Sequence, residues 1–155
     1  MRIYTKEWFN QKDKTTLDLM NAHGAYNRSC VNLNVPEKLK KDLHLHDEVI
    51  KRILFDKGDL IISFAPSNAI YNVIECHFTQ VTLRTYDNIL SGDFWLYEEI
   101  YPENDKYELH ILLCDRDENP KELIFVFKDV FFKYDINKEN IQKELEKWLK
   151  HKTEK

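Results

Sequence analysis

Six strand-like runs between residues 49 and 132, joined by loops too short to hold a crossover helix, limit what this chain can fold into. Parallel strands need long crossovers, so runs joined this way form an antiparallel sheet. The runs fall at 49–55, 60–64, 73–85, 94–101, 107–114 and 123–132. Between the first two, Asp56-Lys57-Gly58-Asp59 supplies the glycine of a tight hairpin. In the second, Leu60, Ile62 and Phe64 alternate with Ile61 and Ser63, the pattern of a half-buried strand. In the third, the inward set passes from Ile74, Cys76 and Phe78 to Val81 and Leu83. That change of phase predicts a bulge near Gln80.

Helical signals lie outside this block. Thr5 is placed to cap a short helix with Glu7, Trp8 and Phe9, and Thr15 or Thr16 a second with Leu17 and Met20. Gly24 is expected to end the second, leaving 25–34 as a loop. Pro36-Glu37 starts a third that runs to about Leu43. At the other end, Ile141, Leu145, Trp148 and Leu149 form one apolar stripe at helical spacing. Asn137 is its expected cap, and Ile136 staples onto Ile141. The expected fold is α+β: one domain over 1–155, with a helical or irregular segment at 1–44. A β-meander fills 45–135, and a C-terminal helix at 137–152 packs on the sheet.

The run Phe94-Trp95-Leu96-Tyr97-Glu98-Glu99-Ile100-Tyr101 sets two adjacent carboxylates in a strand. Neighbouring strand side chains point to opposite faces, so the two acids cannot cooperate as a catalytic pair. At least one is held against apolar surface and needs a partner. Treating 102–106 as the loop pairs Tyr101 with Tyr107 and places Glu98 opposite His110. Glu98, Glu99 and His110 then form a polar network that fixes strand register or, alternatively, an acid/base group. In the same register Trp95, Tyr97, Tyr101 and Tyr107 share a face, as groove wall or as core.

Leu45-His46-Asp47 precedes the first strand. His46 and Asp47 suit either a turn or a base with its orienting acid. His44 and His46 would be half of a zinc site, but no third ligand has recognisable spacing, so no metal and no cofactor is expected. With glycines only at 24, 58 and 92, the chain has no phosphate-cradling glycine loop and no nucleophile-elbow motif.

The net charge of −4 and the lack of a basic stripe argue against a nucleic-acid partner. No apolar run is long enough to span a membrane, and residues 1–11 lack the core of a secretory leader. Three widely spaced cysteines read as reduced thiols in a cytoplasmic chain.

The opening Met1-Arg2-Ile3-Tyr4-Thr5-Lys6-Glu7-Trp8-Phe9 resembles that of a family of uncharacterised proteins of low-GC Gram-positive bacteria. Its members begin M-R-aromatic-aromatic-T-K-E-W-aromatic; Ile3 is the departure. Leu45-His46-Asp47 and Trp95-Leu96-Tyr97-Glu98-Glu99-Ile100 resemble the same family. It is a domain of unknown function, so the resemblance implies no catalytic residues. A looser similarity, by analogy only, links the Leu-His-Asp step to small α+β immunity-type proteins of toxin systems. These readings lean away from an enzyme. They describe a cytosolic binding or interaction module, immunity-like in type, whose partner is another protein. The alternative is a small hydrolase or metal-dependent enzyme using His46, Asp47, Glu98 and His110.

Overall fold

A computed structural model describes residues 3–11, 15–30, 35–66, 71–136 and 138–153. Three helices lead: α1 (Lys6–Asn10), α2 (Thr16–Cys30) and α3 (Glu37–Asp42). Eight strands follow: β1 (Ile50–Asp56), β2 (Asp59–Phe64), β3 (Tyr71–Phe78), β4 (Thr82–Tyr86), β5 (Phe94–Glu103), β6 (Lys106–Cys114), β7 (Pro120–Phe127) and β8 (Val130–Ile136). Helix α4 (Lys138–Thr153) comes last.

The fold is α+β with antiparallel sheets, but there are two sheets of four strands, ordered β1-β2-β3-β8 and β4-β7-β6-β5. Six expected strands become eight because two long ones turn corners. Gln80, at φ 49°, breaks the third run into β3 and β4, at the position expected to hold a bulge. Directly opposite, β7 gives way to β8 at residues 128–129. The ladder continues through the corner: Phe78 pairs with Val130, Thr82 with Val126, and the amides of Thr79 and Lys128 bond across it. Leu83, expected to point inward, is exposed. The two-residue turn Lys57-Gly58, with both φ positive, joins β1 to β2 as the glycine predicted.

The inner faces of the two sheets enclose one core. Leu60, Ile62, Cys76 and Phe78 come from the first, and Trp95, Leu109, Ile111, Phe125 and Phe127 from the second. Burying each of the larger side chains contributes about 1.5–3 kcal/mol. Phe78 meets Phe125 and Phe127 edge-on at 4.8 and 5.0 Å. Residues Glu108 to Cys114 of β6 are buried on both faces, because the N-terminal segment covers the outer one. There Tyr4, Ala22 and Leu112 form a second apolar cluster with Ile3, Trp8, Phe9 and Tyr97.

The helix caps are local and appear where expected. Thr5 Oγ1 accepts from the Trp8 amide. Thr15 and Asp18 bond reciprocally, side chain to amide, at the start of α2. Gly24 does not end α2, which runs to Cys30. An interior glycine costs only about 1 kcal/mol relative to alanine, and Ala22 anchors this helix in the second cluster. Residues 25–30 of the expected loop are therefore helical, and 31–34 lie outside the described residues. So does the expected Asn137 cap, and the Ile136 side chain expected to form the staple is likewise not described.

The last helix departs from expectation. Most of its stripe stays open: Ile141 is partly buried, but Leu145, Trp148 and Leu149 are each half exposed or more. The reason lies in the corners. The sheets cover each other's inner faces, and the N-terminal segment already occupies an outer one. The remaining outer face alternates a polar row, Arg52, Ser63, Glu75 and Lys133, with the row Leu54, Ile61, His77 and Phe131, of which Leu54 and Phe131 are left exposed.

Candidate functional site

Strand β5 carries the polar residues that matter, and its register is one residue from the expected one. β5 runs on through Pro102, which an edge strand tolerates, and the turn shrinks to Asn104-Asp105 with Asn104 at φ 54°. Glu99, not Glu98, stands opposite His110. This register pairs like with like: Ile100 faces Leu109 inside, while Glu99 faces His110 and Tyr101 faces Glu108 outside. A bulge at Leu96 then reverses the phase upstream. Trp95 turns into the core against Phe64, while Tyr97 stays on the outer face.

Two polar groups result, one on each side of β5. The outer one centres on Glu99, which is fully buried. Its Oε1 accepts from the Ile3 amide at 3.1 Å and the Tyr101 hydroxyl at 2.6 Å, and its Oε2 from the Tyr4 amide at 3.2 Å. Protein donors thus replace water around a buried carboxylate. Beside it Tyr101 meets the His110 ring edge-on at 5.4 Å. His110 Nε2 bonds Glu108, which also accepts from Arg84; Arg84 reaches Glu103 as well, with Nη2 to Oε1 at 2.7 Å. The row Glu99–Tyr101–His110–Glu108–Arg84 therefore runs from the N-terminal segment to β4, and Arg84 ties back to Glu103 at the end of β5.

The other group lies at the entrance to β1. The Asp47 amide donates to the Trp95 carbonyl and the Trp95 amide to the Glu48 carbonyl, with Asp47 at φ 67°. Glu98 accepts from the Trp95 indole N–H at 2.9 Å and bonds His44 Nδ1 at 2.9 Å. His46 Nδ1 bonds the carbonyl of Leu96, the bulge residue, so this nitrogen carries the proton. The His46 ring also lies 5.1 Å from Tyr97, itself stacked on Tyr4 at 4.6 Å.

His46 and Asp47 thus adjoin each other, Nε2 to Oδ2 at 3.5 Å, and Glu98 pairs with His44 and the Trp95 indole, while Glu99 and His110 belong to the opposite face of the strand. The four aromatics divide as well. Trp95 and Tyr107 pack into the core, Tyr107 against Phe127, whereas Tyr97 and Tyr101 lie outside. They line no common groove. Sequence reasoning missed Tyr4, Arg84, Glu103 and Glu108. Glu108 was within reach, since residues two apart share a strand face and Glu108 precedes His110 by two. Arg84 comes from β4, a strand the sequence did not separate. Among the described residues, no group of three or more His, Cys, Asp or Glu is placed to hold a metal ion.

The His44–Glu98 bond has a pH signature. The bonded carboxylate raises the His44 pKa above its ordinary value, with partial burial opposing it. A raised folded-state pKa adds stability that is fully present below about pH 6.5 and fades as pH rises through the folded pKa. The imidazole is two-thirds exposed, so solvent screening keeps the contribution within about 0.5 kcal/mol. An NMR titration of His44 is expected to show a midpoint above that of a free histidine, falling back in Glu98→Gln. A midpoint that Glu98→Gln leaves unchanged would refute the coupling.

No helix among the described residues is long and apolar enough to cross a membrane. No curated protein and no solved structure matches the chain. The sequence from residue 1 to residue 121 matches the family described as Protein of unknown function (DUF4085), a stretch that carries every polar residue of both groups, and the chain belongs to that family.

Proposed function

We propose that this chain is a non-catalytic binding module of the cytoplasm whose partner is another protein. The observation that carries this reading is the division of the ionisable residues by β5. Glu98 is directed to one side with His44 and the Trp95 indole, and Glu99 and His110 to the other. On the outer side both Glu99 oxygens accept hydrogen bonds that hold the N-terminal segment, which is a structural use of a carboxylate. Cys76 and Cys114 are free thiols, which suits a reducing compartment. Burial pushes the Cys76 thiol far up, so it is a poor nucleophile. A toxin-immunity role would be one instance of this reading.

A hydrolase is the second reading, favoured by one observation: His46 and Asp47 adjoin at one sheet entrance, Nε2 to Oδ2 at 3.5 Å and both open to solvent, with His44 and its bonded Glu98 next along. Chromogenic ester, phosphate and glycoside substrates separate the two. The binding-module reading expects no turnover that is lost in His46→Ala/Glu98→Gln. Turnover in the wild type that this variant abolishes would overturn it and establish the enzyme.

A further inference from the structure

We infer that β8 is a self-association edge, pairing with β8 of a second copy in an antiparallel register centred on Tyr134. The inference is independent of the functional reading above, since an enzyme could dimerise in the same way.

Three observations carry it. First, β8 ends its sheet, and among the described residues no strand pairs with its outer edge. An open edge is a template for another strand unless it is blunted. Second, this edge shows large apolar side chains between its charged ones: Phe131 is 62% and Tyr134 51% exposed. A groove of about 420 Å³ runs beside it, between α3 and β8, lined by Leu39, Val130, Phe132 and Tyr134 among others.

Third, the charges within β8, Lys133 and Asp135, are self-complementary in one register. Phe131, Lys133 and Asp135 share the outer face of the sheet, and Val130 and Phe132 turn to the core side. Directly opposed residues in an antiparallel pair must lie on the same face, so the two-fold axis has to pass through a residue, not between two. Centred on Lys133, the pair sets lysine against lysine. Centred on Phe131 or Phe132, it pairs no opposite charges within β8, since Asp129, the partner Lys133 would need in the Phe131 register, lies in the corner before the strand. Centred on Tyr134, it sets Lys133 of each copy against Asp135 of the other, twice by symmetry, and Phe132 against Ile136. Lys133 and Asp135 are both exposed.

The same register explains where α4 goes. Ile136, the last residue of β8, falls opposite Phe132 of the other copy. Each helix therefore leaves the sheet beside the exposed Phe131 of its neighbour, carrying the stripe of Leu145, Trp148 and Leu149 that its own chain leaves uncovered. Strand edge and helix stripe would be covered in one interface.

Sedimentation velocity over a concentration series tests this with charge reversals that fall on exposed residues. The wild type is expected to dimerise reversibly. Lys133→Glu and Asp135→Lys should each raise the dissociation constant about tenfold or more by setting like charges across the axis, and the double variant K133E/D135K should restore the dimer. A wild type that stays monomeric to millimolar concentration overturns the proposal and leaves the edge to a foreign strand. A dimer indifferent to both single reversals overturns it in favour of another surface. Single reversals that break the dimer without rescue in the double variant overturn the register.

Discussion

Glu99→Ala is expected to destabilise the protein by about 3 kcal/mol, which is large for one glutamate in a chain of this size. The substitution leaves three donors without their acceptor: the amides of Ile3 and Tyr4 and the hydroxyl of Tyr101. An unsatisfied buried donor costs about 1–3 kcal/mol. The sum is capped, because the N-terminal segment can lift off and give its amides to water. What is then lost is the packing of Tyr4 and Leu112, both nearly inaccessible in the native state, with Trp8 and Phe9 around them. Glu99→Gln keeps one acceptor oxygen but turns an N–H₂ toward the remaining donors, so its loss should be intermediate. Urea unfolding followed by circular dichroism measures both. A cost below about 0.5 kcal/mol for Glu99→Ala, the range of an ordinary surface substitution, would show that the carboxylate is not an anchor.

Trp95→Ala is expected to cost about 3–5 kcal/mol, the range for deleting a large buried aromatic. Trp95 is fully buried, packs near Phe64 and donates its indole N–H to Glu98, while its backbone ties β5 to the entrance of β1. Its burial depends on the bulge at Leu96. Without the bulge it would share the face of Tyr97 and stand on the outer side. Trp148→Ala provides the contrast: at concentrations where the chain is monomeric, its half-exposed ring should cost no more than about 0.5 kcal/mol. Urea midpoints for the two variants should differ clearly. Equal midpoints would mean that Trp95 is not in the core.

Elements written in local patterns were legible in the sequence. Strand-favouring runs marked the six expected stretches, although the last stopped at 132 and β8 continues to Ile136, and Thr5 and the Thr15-Thr16 pair marked helix starts because a cap is a contact within one turn. What depends on distant partners was not legible. The corner at Gln80 showed only as a phase change, because the ladder with β7 and β8 continues through it and no turn residue marks a break. The β5–β6 register missed by one because Pro102 looked like loop, although an edge strand accommodates it. That single residue exchanged the roles of Glu98 and Glu99. The bulge at Leu96 separated Trp95 from Tyr97 with no glycine to announce it. The stripe of α4 was visible, but a stripe specifies a need for cover, not what supplies it.

The central claim is that the buried acid of β5 holds the N-terminal segment to the sheet and is not poised for chemistry. Native-state amide hydrogen exchange reads this directly. The amides of Ile3 and Tyr4 lie outside every helix and strand, where protection is normally weak. The structure predicts slow exchange at both in the wild type and rapid exchange in Glu99→Ala, with protection in β6 and β7 retained. Unprotected Ile3 and Tyr4 amides in the wild type would contradict it.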